Sequence, residues 1–149
     1  MKAPRLLTTE EMRSDAVPTW VNKSYEQYSH VVTDQTFPCF FGQKGERKGE
    51  LRYSFLSHAD WTSLPSTLRA FQSLMAKHPL IRRGLFVFIE PEEQEQTLDY
   101  YRRYFWDILQ YLNDKDESVW PTHTPSDPNH HLWSFCFNGQ SMFAFANTP

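Results

Sequence analysis

The run Gly84-Leu85-Phe86-Val87-Phe88-Ile89-Glu90-Pro91 constrains this chain most, because five consecutive apolar residues stand between turn signals. Such a run predicts a strand covered on both faces, and therefore central in its sheet, with packed layers above and below it. Amphipathic helices supply those layers. Val21, Tyr25, Tyr28 and Val32 recur at helical spacing after Pro18, with Thr19 as N-cap, and Phe37-Pro38 ends the pattern. Leu64, Leu68, Phe71 and Met75 repeat it between Ser63 and His78-Pro79. A third helix spans roughly 93–113, with Leu98, Tyr101, Phe105, Ile108, Leu109 and Leu112 on one stripe and Glu92, Glu93 and Glu95 at its positive end.

Two aromatic segments, remote in numbering, carry the only two cysteines: Phe37-Pro38-Cys39-Phe40-Phe41-Gly42 and His130-His131-Leu132-Trp133-Ser134-Phe135-Cys136-Phe137-Asn138-Gly139. Both read as strands. The first is expected to pair with Leu51–Leu56 across a hairpin tip holding Gly42, Gly45 and Gly49, where the backbone bends or approaches something closely. The second turns at Asn138-Gly139 and returns as Ser141–Ala146. The order α-β-β-α-β-α-β-β predicts an α+β (mixed α/β) fold, a mixed sheet of about five strands with three helices packed on it. Residues 1–17 are expected as an N-terminal arm, loose or strapped to the surface, and 18–149 as a single domain. The last strand leaves an edge that calls for a homodimer partner, another chain or a continuation of this one.

Composition narrows the function classes. A net charge of -3 offers no global attraction to phosphate backbones or anionic lipid, so neither nucleic acid nor membrane is an expected partner. Two cysteines without a CxxC pair build no disulfide framework, and no leader-like or membrane-spanning apolar run is visible, which together point to the cytoplasm. Twelve phenylalanines, seven tyrosines and five tryptophans suit either an ordinary core or the wall of a flat ligand site.

No HExxH, GxSxG or GxGxxG spacing occurs, so candidate residues are weighed singly. Loop polarity explains His123, His130 and His131, and ligation of iron or another metal by a neutral imidazole is the functional alternative. Cys39 is either a small buried thiol or a thiolate ligand or nucleophile. Lys44, Arg47, Lys48 and Arg52 either solvate a hairpin tip or meet a carboxylate or phosphate of a ligand. Glu90, at the carboxyl end of the apolar strand, either faces solvent at a helix start or anchors a guanidinium or ammonium group.

Phe37–Gly42, the Gly84–Glu90 strand, Leu132–Gln140 and Met142–Pro149 together resemble the YqcI/YcgG family from about Trp20 onward. For members of known activity the resemblance implies haem-dependent N-oxygenation of arginine or of another guanidino nitrogen, a small-molecule substrate in either case. Cys39 and Trp133 are the best-matched motif positions; joined to the residue reading, this gives Cys39, Trp133, Phe135 and Arg52 as cofactor-contacting candidates, Glu90 as a possible substrate anchor, and His131, His130, His123 or Cys39 as possible iron ligands. The resemblance also implies a segment beyond Pro149 containing a histidine, an arginine-rich stretch and another strand, so that 18–149 is expected as a C-terminally incomplete domain.

Overall fold

A computed structural model describes residues 3–149. Two compact units divide the chain, one ending at Pro91 and the other beginning at Glu92. The fold is broadly α+β, with two small two-stranded sheets where one sheet of about five strands was expected.

The first unit is built on a parallel β–α–β element. β1 (Arg52–Leu56) and β2 (Leu85–Ile89) pair in parallel, and α4 (Leu64–Lys77) makes the crossover that parallel strands require. Pro65 sits in the first turn of α4, where its missing N–H costs nothing. β2 is therefore an edge strand with half-buried side chains, and the expectation of a central strand fails.

α2 (Thr19–Thr33) follows the expected periodicity, although Pro18 occupies the N-cap and no side chain caps it. Residues 3–17 are tied down. α1 (Thr9–Met12) opens on a reciprocal capping box between Thr8 and Glu11, Leu7 exchanges backbone hydrogen bonds with Tyr53, and Met12 is fully buried. Met12, Val17, Val21, Tyr25, Leu51 and Tyr53 form the core of this unit.

The Phe37–Gly42 strand does not exist. Cys39 is the N-cap of α3 (Phe40–Lys48), and its Sγ accepts from the Gly42 N–H at 3.4 Å. Gly49 ends that helix in the left-handed region (φ 64), as a C-cap glycine does. The glycines serve close approach rather than a hairpin: a Cβ on Gly45 would come within 2.8 Å of Leu51. Phe40 and Phe41 point outward, 70% and 58% exposed, while Gly45 and Glu46 face inward.

In the second unit α5 (Leu98–Asp114) starts later than predicted, with Thr97 accepting from the Tyr100 N–H. Glu92, Glu93 and Glu95 thus precede it, and Asp99 is the acidic residue of its first turn. β3 (Phe135–Phe137) and β4 (Gln140–Met142) form the expected hairpin, with Asn138 and Gly139 both at positive φ. β4 ends at Met142, short of the expected Ala146, and Phe143 beyond it is 88% exposed.

Candidate functional site

Open α/β sheets bind ligands outside the carboxyl ends of their strands, and the first unit has a cleft there. Its volume is about 260 Å³, lined by Phe55 of β1, by Ser57, Asp60 and Ser63 of the β1–α4 connection, and by Glu90 directly after β2. Arg5, from the N-terminal segment, and Pro18 and Trp20, at the start of α2, close the remaining wall.

The cleft combines aromatic faces with net negative charge. Trp20 meets Phe55 edge to face at 5.9 Å between ring centres. The Arg5 guanidinium lies 4.0 Å over the Phe55 ring and donates to the Phe55 carbonyl at 2.7 Å. Asp60 accepts from the N–H and hydroxyl of Thr62 at 3.0 and 2.5 Å, which fixes its carboxylate on the loop. Two carboxylates, Asp60 and Glu90, and one arginine, Arg5, line the cleft beside the rings of Trp20 and Phe55. Carboxylates beside aromatic faces have the chemistry to bind a small organic cation through charge-assisted hydrogen bonds and cation–π contact.

A second polar cluster lies inside the same unit. Glu46 is 5% exposed, and its two carboxylate oxygens accept from the hydroxyls of Tyr25, Tyr53 and Ser29 (2.9 Å for Ser29). Tyr25, Tyr28 and Tyr53 pack on one another and on Phe88. Burial, reinforced by the Glu46 carboxylate, raises the phenol pKa of all three tyrosines above the ordinary value.

The expected site residues are scattered. Glu90 is exposed and lines the cleft. Arg52 is half-buried, and its guanidinium donates to the carbonyls of Gly49 and Leu51 at 3.1 and 2.7 Å; burial, then the nearby Arg83, lowers its pKa. Cys39 is exposed at its helix cap. In the second unit Phe135 is buried in β3, and the half-buried Trp133 stands 5.5 Å from the ring of Trp106. His123, His130 and His131 are exposed on the loop ahead of β3 rather than on a strand. His130 and His131 stack at 4.6 Å, and His130 Nδ1 accepts from the Leu132 N–H. The other cysteine, Cys136, is a buried thiol whose pKa burial pushes up, the state of an unreactive thiol.

A haem does not fit the cleft. Its volume falls below the roughly 300–1,000 Å³ that takes a drug-sized molecule, and neither an imidazole nor a thiol lines it. Among the described residues no three His, Cys, Asp or Glu side chains gather as they would around a bare metal ion. No described helix is long and apolar enough to cross a membrane.

Arg5, Trp20, Phe55, Ser57 and Asp60 were absent from the expected site. Ser57 and Asp60 were within reach of the strand-end rule that selects Glu90, since both follow β1. Glu46 was hidden by the hairpin reading of its segment.

Comparison with known proteins adds relatives at low identity. The chain is 28% identical to the uncharacterized protein YcgG of Bacillus subtilis (strain 168) over 93% of its own length and 58% of that protein. It is 27% identical to the uncharacterized protein YqcI of the same organism, again over 93% of this chain and 58% of the relative. A third relative, 25% identical over 96% of this chain and 57% of its own length, bears the name putative N(omega)-hydroxy-L-arginine synthase DcsA, from Streptomyces lavendulae. The chain thus spans under three-fifths of the length of each of these relatives. No solved structure matches. The YqcI/YcgG family profile matches residues 28–149, and the chain belongs to the YqcI/YcgG family.

Proposed function

We propose that this chain carries the nitrogen-binding part of an enzyme that hydroxylates an amino or guanidino compound. One observation carries the reading: Glu90 and Asp60 share a cleft with the rings of Trp20 and Phe55, at the carboxyl ends of two parallel strands. Arg5 already lies over Phe55 as a guanidinium does on an aromatic face, which shows that this face accepts such a group. The name of the Streptomyces lavendulae relative supports a guanidino substrate. In this reading the carboxylates orient the cation and the rings exclude water from its apolar stem. The setting proposed is the cytoplasm.

Haem enters the proposal as a group held outside the cleft, either in the second unit, with His131, His130 or His123 as the candidate ligand and Trp133 and Phe135 as contacts, or in the first, with Cys39 as the candidate ligand and Arg52 as a contact. The reading of the cleft takes no step through it. Spectra recorded on adding haem test that part separately: a Soret band lost in His131→Ala supports it, and no band at all removes it.

Calorimetry with arginine tests the cleft. Saturable binding that weakens about three- to tenfold in Glu90→Gln is expected for the loss of one charge-assisted pair. Equal binding by wild type and Glu90→Gln overturns the assignment.

A second reading, a non-catalytic domain that pairs through its last strand, draws on the exposure of Phe143 and Phe145 beyond β4. It requires that Phe143→Ser/Phe145→Ser abolish association with a partner chain.

A further inference from the structure

β2 presents an edge that its own unit leaves open. The ladder to β1 runs from the Arg52 N–H on the Gly84 carbonyl (2.9 Å) to the Glu90 N–H on the Leu56 carbonyl (2.9 Å). In a parallel ladder alternate residues bond to the same neighbour. Gly84, Phe86, Phe88 and Glu90 therefore turn their backbone groups to β1, and Leu85, Val87 and Ile89 turn theirs outward. β1 alternates likewise, since Tyr53 bonds away from β2, to Leu7. Among the described residues no strand pairs with the outer edge of β2. Leu-Phe-Val-Phe-Ile also lacks the lysines and prolines with which exposed edges are blocked.

We propose that this edge is the seam of a symmetric dimer, its occupant the β2 strand of a second copy running antiparallel. The strand is self-complementary about Val87. With the two Val87 residues opposite each other, Leu85 of each copy faces Ile89 of the other, so all outward groups enter hydrogen-bonded pairs. Phe86 then meets the partner's Phe88 in the pairs between. Sliding by two residues forfeits one hydrogen-bonded pair, and sliding by one sets outward groups against inward ones. Two two-stranded sheets become one of four strands, with each β2 now central.

Sedimentation equilibrium on the whole chain, with Val87→Pro beside the wild type, tests the seam. Proline at 87 removes an outward N–H and leaves the ladder to β1 intact, a placement edge strands tolerate. The wild type is expected to show a concentration-dependent dimer. Val87→Pro is expected to raise the dimer dissociation constant at least about tenfold with an unchanged circular dichroism spectrum. Should Val87→Pro fail to fold, amide exchange of the wild type decides: protection at Leu85, Val87 and Ile89 must rise with protein concentration while Phe86 and Phe88 stay unchanged. A wild type monomeric at every concentration, a Val87→Pro dimer as tight as the wild type, or concentration-independent protection of the three outward amides each overturns the proposal.

Discussion

Replacing Glu46 with leucine tests how the first unit is held together. Three hydroxyl donors, on Tyr25, Ser29 and Tyr53, converge on a carboxylate that is 5% exposed, and Tyr25 and Tyr53 are themselves fully buried. Leucine approximates the volume, so the cavity contribution is small and the main loss is that of the acceptor. Each buried donor left without a partner costs about 1–3 kcal/mol. With relaxation the total is on the order of 3–6 kcal/mol, a large share of the roughly 5–15 kcal/mol that holds a domain folded. The opposing contribution is desolvation of the carboxylate, which leucine removes. If the hydroxyls outweigh it, Glu46→Leu destabilises strongly, and adding Tyr25→Phe and Tyr53→Phe recovers much of the loss, because only the Ser29 hydroxyl then remains orphaned. Urea unfolding read at the amide resonances of β1 reports on this unit alone. A loss below about 1 kcal/mol, or no recovery in the triple variant, refutes the reasoning.

The same cluster sets an alkaline limit. The folded-state pKa values of Tyr25, Tyr28 and Tyr53 are raised, so their contribution is complete below the unfolded value near 10 and is lost as pH rises through the folded values. Phenolate absorbance is expected to show these phenols ionising together with unfolding; independent titration at about pH 10 contradicts the expectation. Gly49→Ala forces a side chain into φ 64 with nothing within 4 Å, so its cost is conformational alone. About 1–2 kcal/mol of stability should disappear in thermal melts, with Gly49→Asn losing less. Cys136, buried with a raised thiol pKa, is expected to react with a thiol reagent far more slowly than the exposed Cys39; equal rates on the folded protein contradict that ordering.

Hydrophobic spacing made α2 and α4 legible, and Asn138-Gly139 placed the β3–β4 turn, because these elements bury one apolar stripe or use a turn with few substitutes. α3 was not legible for a physical reason. Its buried face is Gly45 and Glu46, while Phe40 and Phe41 look outward, so a reading by apolar pattern sees the wrong side of the helix. β2 was recognised as a strand and misplaced in its sheet, since composition reports the covering a strand needs rather than the neighbours present in a single copy. Of the candidate site, strand-end logic found Glu90, whereas Arg5 and Trp20 reach the cleft through tertiary packing that no local pattern encodes.

Magnetic resonance titration of the cleft with arginine and with citrulline, its uncharged ureido analogue, tests the central claim most directly. Saturable shifts of the Trp20 indole and of the Ser57 and Glu90 amides are expected with arginine alone, and they should vanish in Asp60→Asn/Glu90→Gln. Equal shifts with both compounds, or none at these residues, would contradict recognition of a cationic nitrogen by this cleft.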